Sequence, residues 1–275
     1  MAEAGYLVPQ KKVRLSDLRT YKAEGTRWAM LTSYDYSTTR AFAAAGIECF
    51  LVGDSAANVI FGYDSTTQIS LDEMAFLAAG VVRGAGKALV VVDLPFGTYE
   101  ASDEQAVRSA TELIRRSGAH VVKLEGGERM APRIAALSRA GLAVCAHVGF
   151  TPQSVDALSG FKVQGTSEDA AARLRRDVEA VVDAGAAMVV FEMVPAELAA
   201  EISAACPIPT IGIGAGPHTD AQVLVWQDMA AVPADSRRPR FVQSFGEAGQ
   251  LLSEAAAAYK KAVREGSFPA AEHCF

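Results

Sequence analysis

The sequence predicts a parallel α/β barrel, the (β/α)8 TIM fold. Short apolar runs rich in β-branched residues alternate with longer Ala-rich segments of helical period. Glycines close many of the helical segments, and polar or acidic residues follow one strand after another. At 275 residues, half of them hydrophobic, the chain suits one such barrel over residues 1–275, since the fold takes about 250 residues.

The strands are expected at 28–33, 49–52, 89–93, 121–124, 143–147, 188–192 and 209–212. Several are apolar almost throughout, as parallel strands covered on both faces should be. Helices are expected at 38–45, 71–84, 102–117, 129–140, 168–184 and 196–204, with a terminal helix from near Glu247 to Glu265. Ala45-Gly46, Ser117-Gly118, Ala140-Gly141 and Ala184-Gly185 suit left-handed helix ends leading into the next strand. The eighth strand is expected within 228–243, where signals are mixed and two prolines intervene. Repeated strand–helix units build right-handed βαβ crossovers. No Gly-rich turn follows the first strand, so a dinucleotide-binding open sheet has little support.

A net charge of −6 argues against general binding to nucleic acid or to membrane surfaces. The one basic run, Arg237-Arg238-Pro239-Arg240, is short and reads as a solvated loop. Cys49, Cys145, Cys206 and Cys274 lie far apart, suggesting neither a zinc site nor a disulfide framework but a reducing compartment. The first residues lack the pattern of a signal peptide, and no apolar run approaches the ~20 residues that span a bilayer. A soluble, cytoplasmic protein is expected.

The strand ends carry the chemistry. They read Ser33-Tyr34-Asp35, Gly53-Asp54-Ser55, Asp93-Leu94-Pro95, Lys123 with Glu125-Gly126-Gly127, His147, Glu192, and Gly212-Ile213-Gly214-Ala215-Gly216. In a barrel all of these converge on the carboxyl-end mouth. One acid after a strand is easily a helix cap, but seven successive polar ends are harder to explain that way. Asp54, Asp93 and Glu125 are candidate metal ligands, and three hard oxygen donors without thiolates suit Mg2+. Lys123 shares a strand face with Glu125 and could hold a substrate carboxylate or enolate, or form a structural ion pair. His147 could be catalytic or a satisfied core histidine. Glu192 suits a general base, with a cap or ion pair as the alternative. The Gly212–Gly216 loop could present amides to an anion or simply make a tight turn.

The segments Met30-Leu-Thr-Ser-Tyr-Asp35, Leu51-Val-Gly-Asp-Ser55, Val92-Asp-Leu-Pro-Phe96, Val122-Lys-Leu-Glu-Gly-Gly127, His147-Val-Gly-Phe-Thr-Pro-Gln-Ser154, Lys162-Val-Gln-Gly165 and Ile211-Gly-Ile-Gly-Ala-Gly216 together resemble ketopantoate hydroxymethyltransferase. The likeness runs from about residue 10 to residue 275. It implies a barrel of the phosphoenolpyruvate/pyruvate superfamily type. It also implies transfer of a one-carbon unit from 5,10-methylenetetrahydrofolate to 3-methyl-2-oxobutanoate, giving 2-dehydropantoate in pantothenate synthesis through a Mg2+-stabilised enolate. By the same resemblance, Asp54 and Asp93 bind Mg2+ and Glu125 completes its site, often through water. Ser55 and Lys123 hold the ketoacid, with Asp54 and Asp93 beside it. Glu192 is the base, and His147 lies by the new hydroxymethyl group. Family members are commonly homodecamers.

The chain departs from the family pattern at Ala221, where glycine is usual between Asp220 and Gln222, and along Met229-Ala-Ala-Val-Pro233. A lyase or mutase on a related barrel would share the metal and the enolate chemistry, so dependence on folate separates the two. A non-catalytic scaffold would lack some of the proposed groups, and Mg2+-dependent stabilisation by the ketoacid tests for one.

Overall fold

The computed structural model describes residues 11–232 and 238–275. The chain divides into two compact units, Met1–Val223 and Leu224–Phe275. Eight strands close a barrel in sequence order: β1 (Trp28–Thr32), β2 (Cys49–Val52), β3 (Leu89–Asp93), β4 (Val121–Glu125), β5 (Val144–Gly149), β6 (Met188–Glu192), β7 (Thr210–Ile213) and β8 (Ala221–Leu224). The pairings from β1 through β8 are all parallel.

Helix α1 (Leu15–Glu24) precedes the barrel. Then come α2 (Tyr36–Ala44), α3 (Ala56–Val59), α4 (Leu71–Gly84), α5 (Asp103–Ser117), α6 (Ala131–Arg139), α7 (Glu168–Asp183) and α8 (Ala196–Ala205). Local chemistry starts several of them. Asp35 accepts the Ser37 and Thr38 amides and begins α2. Ser70, Ser102 and Ser167 each accept the amide three residues on, which satisfies one otherwise orphaned donor per helix.

Alternation along the strands decides which side chains enter the barrel. Met30, Cys49, Leu51, Leu89, Val91, Val121, Cys145, Met188, Val190, Ile211 and Ala221 form its buried apolar plug, joined at the amino end by Val13, Leu18 and Trp28. Each large apolar side chain buried this way contributes roughly 1.5–3 kcal/mol. Leu18, fully buried on α1, makes that helix the floor of the barrel. Ala221, at the departure from the family pattern, sets its methyl group into the plug.

In the second unit, α9 (Trp226–Met229) and α10 (Ala248–Glu265) are the α-helices among the described residues, followed by a 3-10 turn at Ala271–His273. Helix α10 ends at Gly266 in the left-handed conformation (φ 70°). Tyr259 on α10 meets Phe268 edge-on, ring centroids 5.8 Å apart.

One expectation needs correction. The last strand lies at Ala221–Leu224, not within 228–243, where α9 ends instead. Pro233 and Arg237, named in the departing stretch and the basic run, lie outside the described residues. In addition, α1 carries no sequence-level prediction of its own, and α2 begins two residues before 38 because Asp35 caps it.

Candidate active site

The parity that fills the plug also builds the layer above it. Continuing inward by twos along each strand, Leu89 and Val91 lead to Asp93, Val121 leads to Lys123 and Glu125, Cys145 to His147, and Met188 and Val190 to Glu192. Strand register then sets neighbours: Asp93 pairs with Lys123, Glu125 with His147, and Gly149 with Glu192. Polar groups thus follow one another around four adjoining strands on a dry apolar base.

Lys123 Nζ donates to Asp93 Oδ1 at 2.6 Å, and both side chains are at least 96% shielded from solvent (4% and 2% exposed). The other Asp93 oxygen accepts the Asp54 amide at 3.0 Å, which brings the β2 and β3 acids together. Gln153, in the loop after β5, ties the cluster. Its side-chain amide donates to Asp54 Oδ2 at 2.8 Å and to the Leu94 carbonyl at 3.1 Å, and its backbone amide donates to Glu125 Oε2 at 2.9 Å. The Tyr99 hydroxyl donates to Gln153 Oε1 at 2.5 Å and accepts the Glu125 amide at 3.2 Å. Ser55 and Tyr34 share a hydroxyl contact of 2.8 Å beside Asp54.

His147 stands between two acids. Nδ1 is 3.4 Å from Glu125 Oε1 and Nε2 is 3.3 Å from Glu192 Oε2. These contacts attract but are not aligned as hydrogen bonds, so both ring nitrogens and Glu125 Oε1 stay buried without a hydrogen-bond partner. Glu192 is the more open acid, its side chain 16% exposed. Gly149 lets β5 pass it: at φ 91°, a Cβ there would collide with the Glu192 carbonyl.

Electrostatics sharpen the picture. Burial, then the negative charges of Asp93 and Glu125, push Asp54 well above the usual carboxylate range. Burial alone would lower Lys123, but Asp93, Glu125 and Asp54 raise it and keep it cationic. Burial and Lys123 work against a charged His147, yet Glu125 and Glu192 lift it to about 9. Glu125 resists its own burial and is lowered, chiefly by His147 and then Lys123. Asp54, Asp93, Glu125 and Glu192 face only Lys123 and His147; burial and that surplus of acids drive Asp54 toward its neutral form, and a further cation would relieve it.

That surplus, the hard-oxygen donors and the orphaned Glu125 oxygen fit a divalent cation such as Mg2+. Among the described residues no group of three or more His, Cys, Asp or Glu side chains is arranged to hold a metal ion. Lys123 and Gln153 hold the aspartate oxygens instead. Mg2+ characteristically takes one or two protein carboxylates and keeps water or substrate oxygens for the rest, so two aspartates suffice.

Asp54, Ser55, Asp93, Lys123, Glu125, His147 and Glu192 lie together in this cluster, whereas Asp35 caps α2 and the Ser33 hydroxyl meets Thr39. The Gly-rich loop after β7 is closely packed. A Cβ on Gly212 would lie 2.6 Å from Thr219 Oγ1, and one on Gly216 would strike Ala196. The sequence reading assigned no role to Gln153 or Tyr99. Gln153 lies inside the motif from His147 to Ser154, and only that motif pointed to it.

A family model described as ketopantoate hydroxymethyltransferase matches residues 12–271. The chain is 63% identical over 271 residues to 3-methyl-2-oxobutanoate hydroxymethyltransferase of Corynebacterium jeikeium (strain K411), covering 98% of this chain and 95% of that one. It is 65% identical to the protein of the same name from Corynebacterium diphtheriae (strain ATCC 700971 / NCTC 13129 / Biotype gravis), covering 96% and 99%. Among solved structures it resembles phosphonopyruvate hydrolase complexed with oxalate and Mg++, with a TM-score of 0.61, 11% identity, and coverage of 94% and 92%. It also resembles 2,3-dimethylmalate lyase, a PEP mutase/isocitrate lyase superfamily member, at a TM-score of 0.57 and 16% identity, covering 95% and 91%. At those identities the structural likeness speaks for the barrel alone. The chain, a transferase on a closed (β/α)8 barrel, belongs to the ketopantoate hydroxymethyltransferase family.

Proposed function

We propose that this enzyme transfers a one-carbon unit from 5,10-methylenetetrahydrofolate to 3-methyl-2-oxobutanoate, giving 2-dehydropantoate for pantothenate synthesis. The carrying observation is the juxtaposition, in one buried mouth, of Asp54, Asp93 and Lys123 with Glu192 across His147. Asp54 and Asp93 would hold Mg2+, with Glu125 reaching it through water. Bound there, the cation would act as a Lewis acid on the ketoacid's oxygens and make C3 more acidic.

The chain's own groups supply the rest. Ser55 and Lys123 bind the ketoacid, and the Lys123 ammonium pairs with the negative charge that develops as C3 is deprotonated. A Glu192 carboxylate oxygen takes the C3 proton. The resulting carbanion forms the new carbon–carbon bond to the folate's methylene carbon. Water cleaves that carbon's two bonds to nitrogen, leaving its hydrogens on the departing tetrahydrofolate and its oxygen on the one-carbon unit. The alkoxide left after carbon–carbon bond formation takes the proton held by Glu192. His147 Nε2 faces Glu192 and is placed to donate a hydrogen bond to the new hydroxymethyl oxygen. The apolar plug beneath keeps bulk water from the reacting carbon and strengthens each of these interactions.

A cytoplasmic homo-oligomer, decameric as in the family, completes the proposal. Four unpaired cysteines support the reducing compartment, and no helix among the described residues is long and apolar enough to cross a membrane; the subunit number rests on the family alone.

Deuterium exchange at C3 of the ketoacid tests the reading. Exchange is expected to need Mg2+ but not folate, and product to need both. Product formed without methylenetetrahydrofolate would move the enzyme to a lyase- or mutase-type reaction.

A further inference from the structure

The segment between β5 and α7 is hung from the strand that carries Glu192. The Phe150 amide donates to the Glu192 carbonyl and the Gln164 amide to the Met193 carbonyl, each at 2.8 Å. Met193, held at φ 49°, gives its own amide to the Ile213 carbonyl at 2.9 Å, so three loops meet at the residue beside the base. Between those anchors, Phe161 packs against buried Phe150, ring centroids 5.0 Å apart and tilted 35°. Phe161 is nevertheless 76% exposed. Lys162 next to it is exposed, and so is Val163. An aromatic ring supported on one side and left open on the other, in a loop tied by its backbone to the end of the strand that carries Glu192, is the geometry of a stacking platform.

Other exposed aromatics of the mouth do not share this place. Phe61, stacked on Tyr63, and Phe96 follow β2 and β3, the strands that deliver Asp54 and Asp93 to the ketoacid. The carbon donor has to approach C3, and the proton leaves C3 toward Glu192. The donor therefore belongs over β5 and β6. A reduced folate offers a flat pterin ring, an aminobenzoyl ring and a glutamate tail with negative charge, which match one aromatic face followed by one ammonium.

We propose that Phe161, seated on Phe150, is the stacking platform for the folate's ring system, and that Lys162 pairs with its carboxylate tail. The inference rests on folate being the one-carbon donor. Stacking on one aromatic side chain is typically worth about 1–3 kcal/mol, which corresponds to roughly 5- to 150-fold in affinity.

The test uses the full-length enzyme with Phe161→Ala, Phe161→Tyr and Lys162→Gln. Calorimetry with tetrahydrofolate gives Kd, and steady-state kinetics give KM for each substrate. Phe161→Ala is expected to raise tetrahydrofolate Kd and methylenetetrahydrofolate KM about tenfold or more, with ketoacid KM and folate-free C3 exchange within about twofold. Phe161→Tyr should restore folate affinity. Lys162→Gln should cost only a few-fold, and high salt should erase that difference. Unchanged folate affinity in Phe161→Ala overturns the platform. So does an equal rise in ketoacid KM, or an altered subunit count by sedimentation with folate binding intact, which would assign the ring to a subunit contact. If the wild-type enzyme neither binds tetrahydrofolate nor turns over with methylenetetrahydrofolate, the proposed reaction itself fails.

Discussion

The two ends of the barrel treat polar groups in opposite ways. At the amino end, Lys22 Nζ donates to Asp220 Oδ2 at 2.8 Å and to the Ser203 carbonyl at 3.0 Å. That Asp220 oxygen also accepts the Thr210 amide at 2.7 Å and the Thr210 hydroxyl at 2.8 Å. His120 Nδ1 accepts the Val90 amide at 2.9 Å. These groups have found their partners inside the fold. At the carboxyl end, His147 and one Glu125 oxygen are buried without hydrogen bonds, and Asp54 is driven toward its neutral form. Apart from Trp28 Nε1, which is buried without a hydrogen-bond partner, the polar groups named at the amino end are completed by folding, whereas those of the mouth are left for what it binds.

If that contrast holds, substitutions at the mouth should cost activity and substitutions at the floor should cost stability. Asp93→Asn should have the largest effect, a loss of Mg2+-dependent turnover of about a thousandfold or more with the circular dichroism spectrum unchanged. Near-normal turnover would break the contrast at once. Glu192→Gln should slow C3 deuterium exchange by about 10²- to 10⁴-fold while ketoacid binding survives, and continued exchange would place the base elsewhere. Gln153→Leu removes the amide that holds Asp54 and should weaken Mg2+ affinity about 10- to 100-fold, measured as the Mg2+ dependence of ketoacid-induced thermal stabilisation.

At the floor, Asp220→Ala should lower unfolding stability by roughly 2–3 kcal/mol in urea titrations and leave kcat unchanged. A fall in kcat would show that the two ends are coupled. The smallest effect concerns pH. Burial, and then Lys12, depress His120 below 6.5, so the folded protein resists a proton that the unfolded chain accepts. Stability from this group is present above pH 6.5 and is lost as pH falls. Tm of the wild type should therefore drop more between pH 7 and 5 than that of His120→Asn, which can keep an acceptor for the Val90 amide but cannot be protonated there.

The strands and acids of this barrel are legible in sequence because parallel strands are apolar throughout and their period of two is strict. Val91 and Asp93, or Val121 and Lys123, announce both plug and mouth. Strand β8 escaped because Gln222 interrupts its short apolar run with an exposed position, unlike the equally short β2, which is buried throughout. The α1 helix escaped because a single leucine, Leu18, is its fully buried anchor. Gln153 and Tyr99 are uncharged side chains whose work exists only after the ends of β2, β3, β4 and β5 have met, and no local pattern encodes such a meeting. His147 was ambiguous for a related reason: its two acidic neighbours come from other strands.

The alternation that sets the mouth also defines what this enzyme tolerates. Because Asp93, Lys123, Glu125, His147 and Glu192 are spaced by twos upward from apolar partners, losing one residue inside a strand would swing every side chain beyond it to the opposite face. Such a deletion in β4 would turn Lys123 and Glu125 outward, toward the helices, and bring Leu124 inward. Homologues can therefore lengthen and shorten their loops, but the barrel's strands admit length changes only in pairs of residues.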